Sequence, residues 1–158
     1  MRVPRRILLL LLLLAAPPGA LADFEAGVAA ARAGDYAAAL REWRPLAQSG
    51  HRDAQFNMGL LYENGLGVAR DDAEALRWYR RAAEAGDAAA QYNVGLFYAM
   101  GRGVAPNDVQ AYAWLSVALE NGAEPTRLLG LLKKNMSAQS LAQGERLVED
   151  VRGQCKLP

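Results

Sequence analysis

From residue 23 onward, the polar and apolar positions follow a helical period rather than a strand period. In one segment, Ala54, Met58, Leu61 and Tyr62 recur at helical spacing. Gly65 follows them, where a left-handed C-terminal cap favours glycine. This pattern predicts a helix.

A second amphipathic helix is predicted after a loop that contains Gly65 and Gly67, two residues free to adopt a positive φ. Asp71 or Asp72 stands where an N-cap is expected, and Glu74 is placed to complete a capping box with Asp71. The apolar positions that follow are Ala75, Trp78, Tyr79, Ala82 and Ala83, and the helix is expected to stop at Gly86. The two helices are predicted to form an antiparallel pair, called a unit below. A single pair cannot bury a core, so stacking of several pairs must provide it.

The unit repeats with a fixed offset of 36 residues. Residues 51–86 and 87–122 align without a gap and are identical at sixteen of 36 positions. Residues 35–50 match 71–86 as a further half-unit. A constant period of this length is typical of a stacked helical array, so the fold class predicted is an all-α solenoid of antiparallel helix pairs.

Both ends of the array depart from the repeat. Residues 23–52 are predicted to form a first pair with a tight turn at 33–35 and with Pro45 bending its second helix. After repeats at 53–86 and 87–122, residues 123–158 are predicted to close the array with two capping helices and a tail. The first of these helices starts at residues 124–126, and Ser137 caps the last one.

The pattern of the N-terminal segment is typical of a secretory signal peptide. Arg2, Arg5 and Arg6 precede an apolar run at 7–16, and breakers at 17–19 lead to a small-x-small end at 20–22. A run of about ten residues is too short to span a bilayer core of about 30 Å as a helix. We expect cleavage after Ala22, export by the general route rather than the twin-arginine route, and a periplasmic or secreted protein without a permanent membrane span.

Charge and composition exclude several function classes. The chain has 158 residues with 18 basic and 17 acidic side chains, so no basic excess is available to neutralise phosphates. Nucleic-acid binding is therefore not expected. One histidine, His51, and one cysteine, Cys155, are too few for a metal site, a disulfide framework or a catalytic triad. We expect no catalytic residue, no metal and no cofactor.

Four features that superficially suggest chemistry have structural interpretations. The two Gly-x-Gly loops follow helices rather than strands, so turn geometry explains them better than phosphate binding. Adjacent carboxylates are interpreted as helix caps at residues 71–72 and as a solvated helix face at 149–150, because neighbouring residues on a helix do not converge. His51 is expected on the surface. Cys155, in a polar tail, is expected to be an unpaired or mixed-disulfide thiol of a monomer, with a disulfide dimer as the alternative.

The repeated string resembles the Sel1-like repeat, a relative of the tetratricopeptide repeat with a longer loop inside each pair. The pattern that carries the resemblance repeats 36 positions on, with Val94, Leu115 and Leu119 at the positions of Met58, Tyr79 and Ala83. In the first unit it consists of Ala54, Gln55, Met58, Gly59, Tyr62, Gly65, Gly67, Val68, Asp72, Ala75, Trp78, Tyr79, Ala82, Ala83, Glu84 and Gly86. The resemblance implies a right-handed α-solenoid that binds other proteins or peptides. The first helix of each unit would line its concave face.

Carried onto this chain, that concave face comprises eight residues: Asp53, Phe56, Leu60, Glu63, Ala89, Tyr92, Leu96 and Ala99. Aromatic and aliphatic side chains along a groove can anchor a peptide. Equally, Phe56 and Tyr92 can pack against the preceding unit with only their edges exposed. Arg32, Asn64 and Arg102 are either a polar rim or ordinary solvated surface.

Two function classes follow from these expectations. One is a non-catalytic adaptor that binds a protein or peptide segment of the bacterial envelope. The alternative is a weak hydrolase or ligand-binding protein for cell-wall fragments or β-lactams, an activity linked to cysteine-rich exported relatives, whose paired cysteines this chain lacks. A purely structural spacer is a third possibility.

Overall fold

The computed structural model describes residues 23–155, and this part of the chain consists of α-helices joined by short loops, without a strand. The eight helices it contains are α1 (Phe24–Arg32), α2 (Tyr36–Gln48), α3 (Arg52–Asn64), α4 (Asp72–Glu84), α5 (Ala88–Met100), α6 (Asp108–Glu120), α7 (Thr126–Asn135) and α8 (Ala138–Gln154). The predicted all-α fold class is confirmed. The predicted signal peptide and its cleavage site lie outside the described residues.

Helices α1 to α6 form the array, because each packs mainly against its neighbours along the chain. The pairs α1/α2, α3/α4 and α5/α6 are the three successive units. Helix α8 packs against α6 and closes the array, while α7 makes a smaller contact with α6. Within residues 23–155, no helix combines the length and apolarity needed to cross a bilayer.

The helix boundaries come from local capping. Asp71 caps α4 by accepting a hydrogen bond from the Glu74 amide, but its own amide donates to the Tyr62 carbonyl, so the predicted capping box is only half formed. Ser137 caps α8 by accepting from the Ser140 amide. Gly65 ends α3 in the left-handed conformation. At the start of α3, the N-cap is His51, whose Nδ1 accepts from the Ala54 amide at 3.3 Å. The single histidine is therefore a capping residue.

Two clusters of buried side chains form the core. The first contains Trp43, Met58 and Trp78 from α2, α3 and α4. The second extends from α4 to α8 and contains Tyr79 and Trp114 among its largest members. Small residues allow the close helix packing on which both depend. A Cβ at Gly59 would lie 2.5 Å from the Tyr79 ring, so that aromatic side chain can approach only a glycine.

The second glycine of each Gly-x-Gly loop allows the loop to touch the preceding unit. Gly67 has φ +67°, and a Cβ there would lie 2.5 Å from the backbone of Tyr36 at the start of α2. Gly103 has φ +66° and meets the backbone of Asp72 at the start of α4 at the same distance. The turn interpretation was therefore correct but incomplete, because these glycines also provide contacts between units.

The C-terminal helix docks through specific contacts and corrects one expectation. The Arg152 guanidinium pairs with the Glu120 carboxylate at 2.7 Å, which ties the end of α8 to the end of α6. Cys155 is only 6% exposed and lies 3.5 Å from the Gln91 side-chain amide nitrogen. Cys155 is thus unpaired, but it does not lie in a polar tail, because it caps the end of α8, which folds onto the second repeat.

Candidate partner-binding face

The eight residues predicted for the concave face lie on α3 and α5 and differ in exposure. Asp53 and Ala89, near the helix starts, are exposed. The remaining six are half-buried: Phe56, Leu60, Glu63, Tyr92, Leu96 and Ala99. Each helix thus presents partly accessible apolar side chains, whereas fully buried residues lie on its other faces.

On α3, the Phe56 ring packs against Tyr79 of the same unit with ring centroids 5.6 Å apart. Tyr79 in turn meets Phe97 edge-on at 5.6 Å. Phe56 is therefore anchored to the core on one side and partly exposed on the other, and it packs within its own unit rather than against the preceding unit. Leu60 also packs against this core cluster.

Glu63 is engaged within the molecule rather than free for a partner. Its Oε2 accepts a hydrogen bond from the Tyr79 hydroxyl at 2.5 Å, and its Oε1 pairs with Arg102 Nη1 at 2.6 Å. Burial raises the pKa of the Tyr79 hydroxyl, and the hydrogen bond and negative charge of Glu63 raise it further. Tyr79 therefore stays a neutral donor that holds this carboxylate in place.

Arg102 is a link between the two repeats, not the polar rim or solvated surface residue expected from the sequence. Its side chain is 20% exposed, and its guanidinium lies 4.3 Å from the centroid of the Phe97 ring. It pairs with Glu63 of the first repeat and also with Asp72, at 2.9 Å from Oδ1. These contacts raise the pKa of Arg102. The hydrogen bonds to Asp72 contribute most, and the hydrogen bond to Glu63 adds to them.

Asp72 is likewise not a cap, although its neighbour Asp71 is one. Its carboxylate accepts from Arg102 Nε at 3.2 Å and from Arg70 Nη2 at 3.0 Å. These hydrogen bonds, first from Arg102 and then from Arg70, lower the pKa of Asp72 to about 2. The carboxylate therefore stays charged across the physiological range.

On α5, Tyr92 and Leu96 form one wall of an open groove of about 310 Å³, with α7 and its preceding turn as the other wall. The opposite wall contains Glu124, Pro125, Arg127, Leu128 and Leu131. Leu131 is 51% exposed, and within residues 23–155 few large apolar side chains are as exposed. The groove is thus mainly apolar, with charged groups on the α7 side.

Sequence reasoning missed the α7 wall of this groove because it treated α7 only as a cap. The spacing of Arg127, Leu128 and Leu131 is nevertheless that of one helix face. Leu129 and Leu132, which face the core, occupy the alternate apolar positions. Two leucine stripes on one short helix were the available signal that α7 has a second apolar face.

Among residues 23–155, no cluster of three or more metal-ligating side chains exists. His51 caps α3, and its ring stacks on Phe24 with centroids 4.9 Å apart.

Comparison with known proteins supports the repeat interpretation. The family model described as Sel1 repeat matches residues 52–87 and 88–122. No curated protein matches the chain significantly. Among solved structures, similarity is found to a protective antigen present in uropathogenic Escherichia coli strains, which displays an SLR fold, and to a Sel1 repeat protein from Oxalobacter formigenes.

The two structural matches cover the same share of this chain but different shares of the matched proteins. The antigen is 33% identical with a TM-score of 0.76, and the match covers 82% of this chain and 29% of that one. The Oxalobacter protein is 29% identical with a TM-score of 0.66, and the match covers 82% and 56%. This chain thus spans less than two thirds of either relative. The chain therefore contains two Sel1 repeats in a solenoid fold that it shares with these structures, and Sel1 repeat proteins are generally protein–protein interaction modules.

Proposed function

We propose that this protein is a non-catalytic adaptor of the bacterial envelope that binds a segment of another protein on the face formed by α3 and α5. Its site residues are those predicted from the sequence: Asp53, Phe56, Leu60, Glu63, Ala89, Tyr92, Leu96 and Ala99. Export to the periplasm or beyond is part of this proposal and rests on the signal-like sequence of residues 1–22.

The observation that carries the proposal is the groove beside Tyr92 and Leu96. A pocket lined by aromatic and aliphatic side chains, with a few charged groups at its edge, is the kind of site that anchors a peptide. Phe56 and Leu60 extend the partly exposed apolar surface along α3. Glu63 contributes indirectly, because its carboxylate is held by Tyr79 and Arg102.

Affinity capture from an envelope extract tests the proposal. The bait is the chain from residue 23 to 158, compared with its Phe56→Ala/Tyr92→Ala variant, and mass spectrometry quantifies the captured proteins. We expect a partner that the first bait retains and the second loses. Because Phe56 packs on Tyr79, a Leu60→Glu/Leu96→Glu variant is added, which places charge on the face without truncating an aromatic ring.

Leu119→Ala is the matched control, since Leu119 is 46% exposed on α6 and lies outside the groove lining. It must retain the partner, and circular dichroism must show all baits equally helical. Equal capture by every bait would contradict the proposed face. Absence of any partner, together with turnover of β-lactam or muropeptide substrates, would instead favour the hydrolase alternative.

A further inference from the structure

The α7 side of the groove carries a defined pattern of charge around its apolar residues. Leu128 and Leu131 line the groove, and Arg127 lies beside them. Lys134 falls seven residues after Arg127 and three after Leu131, so helical spacing places it on the same face. It is exposed, as is Arg127. One face of α7 therefore presents two leucines between two cations.

The α5 side contributes no charge to the groove. Helix α5 has the sequence AAAQYNVGLFYAM, which contains no ionisable acid or base other than its two tyrosines. Glu124 stands at the start of the α7 wall, next to Arg127. Lys133 belongs to another face, since its ammonium lies 5.6 Å from the centroid of the Tyr112 ring. Glu124 and Arg127 balance each other within the lining, and Lys134, beyond the lining on the same face of α7, leaves this wall with one net positive charge.

We infer that the groove between α5 and α7 binds a partner segment with two neighbouring apolar side chains that acidic residues flank on both sides. This inference rests on the proposed function and names the chemistry of its partner. The groove has a volume of about 310 Å³ and apolar side chains on both walls, so it offers room for apolar side chains of a partner. Arg127 and Lys134 are about 10 Å apart along the helix axis, which sets the spacing of the acidic residues.

Apolar burial and charge have separate roles in such a complex. Leu131 is half exposed in the unbound protein, so covering it removes apolar surface from water and contributes to affinity. The exposed cations act mainly on association rate and on the choice of partner, and added salt screens them. The inferred preference for acidic flanks is therefore expected to be largest at low ionic strength.

The experiment uses fluorescently labelled peptides and the chain from residue 23 to 158. One peptide has two central leucines with a pair of glutamates on each side. A twin has lysine in place of every glutamate, and a third has serine in place of both leucines. Fluorescence anisotropy measures Kd at low and high salt. We expect the glutamate peptide to bind at least about tenfold more tightly than either of the others at low salt.

Two protein variants separate the contributions. Leu131→Ser should weaken binding of the glutamate peptide by about tenfold, as expected for loss of one apolar anchor, whereas the matched Leu119→Ser should leave it unchanged. Arg127→Glu/Lys134→Glu should reverse the preference in favour of the lysine peptide. A reversal cannot arise from partial unfolding, so this variant remains informative even if stability falls.

Binding of the lysine peptide with equal or greater affinity, binding of neither leucine peptide, or an equal effect of Leu119→Ser would overturn the inference. Envelope capture distinguishes this failure from failure of the proposed function. A partner that depends on Tyr92 and Leu96 but does not compete with the glutamate peptide would leave the adaptor proposal standing and refute the acidic-flank inference alone.

Discussion

At the scale of single residues, Arg102 makes the most consequential polar contacts of the two repeats. It joins Glu63 and Asp72 of the first repeat to the loop of the second, and its guanidinium covers the Phe97 ring. Because the side chain is mostly buried, removal leaves two carboxylates without their main partner in a partly desolvated position.

We therefore expect Arg102→Ala to lower the free energy of unfolding by about 2 kcal/mol, measured by urea denaturation at pH 7. Arg70→Ala is the control, because Arg70 also contacts Asp72 but its side chain is 62% exposed. It should cause a much smaller loss. Similar losses in both variants would show that the ion cluster contributes no more than a surface pair.

Asp72 gives the same cluster a pH dependence. Its pKa is about 2 in the folded protein, against 3.8 for an unperturbed carboxyl group. A folded-state pKa below the unfolded value adds stability that is complete above the unfolded pKa and is lost as pH falls through the folded pKa. The contribution should therefore be present above about pH 4 and disappear towards pH 2.

Comparing the chain with its Asp72→Asn variant tests this dependence. We expect the variant to be less stable by about 1 to 2 kcal/mol at pH 5, and the difference to shrink as the pH is lowered to 2. Asp108→Asn controls for the helix dipole, since Asp108 occupies the equivalent first position of α6. A difference that stays constant from pH 5 to 2 would contradict the assignment.

At the scale of elements, the loops inside the helix pairs set the spacing between units. Gly103 combines a positive φ with backbone contact to the start of α4, so alanine there would be strained and would also collide with Asp72. We expect Gly103→Ala to cost about 3 kcal/mol of unfolding free energy. Gly34→Ala should cost only about 1 kcal/mol, because Gly34 has φ +81° but nothing within 4 Å of its Cβ. Thermal or urea unfolding measures both, and equal costs would mean that the inter-unit contact does not constrain the loop.

The sequence predicts those features of the helices and loops that depend on residues close together in the chain. Gly65 and Ser137 mark helix ends through contacts within a few residues, so their roles are readable from spacing alone. The Arg102 cluster joins residues 30 and 39 positions apart. The first repeat has Leu66 at the position of Arg102, so the internal comparison offered no precedent for this contact.

The residues of the candidate site also divide into those that sequence spacing predicts and those that only tertiary contacts place. Tyr92 and Leu96 were predicted because they recur at equivalent places in a known repeat pattern. Leu128 and Leu131 were not, because the repeat ends at Gly122 and no periodicity fixes where α7 lies against α5. Placing a helix beyond a repeat requires its tertiary contacts, which sequence spacing does not contain.

At the scale of the whole molecule, α8 closes the array and buries the single cysteine. The Cys155 side chain lies beside Gln91, whose amide nitrogen also donates to the Ala83 carbonyl, so the end of α8 reaches the junction between the repeats. Burial raises the pKa of the Cys155 thiol and so reduces its thiolate fraction. Both effects oppose the disulfide dimer that the sequence left open.

Reaction of Cys155 with a thiol reagent therefore reports the detachment of α8 from the rest of the array. We expect slow labelling of the native protein, fast labelling in urea, and no disulfide dimer after native oxidation. Val151→Ala removes a buried contact of α8 and should raise the native labelling rate about tenfold, because about 1.4 kcal/mol of docking energy is lost. Val68→Ala, in the loop of the first repeat and packed in the other core cluster, should leave the rate unchanged.

Equal acceleration by both variants would mean that the thiol is exposed only when the whole array unfolds. Fast labelling of the native protein would contradict the closed position of α8.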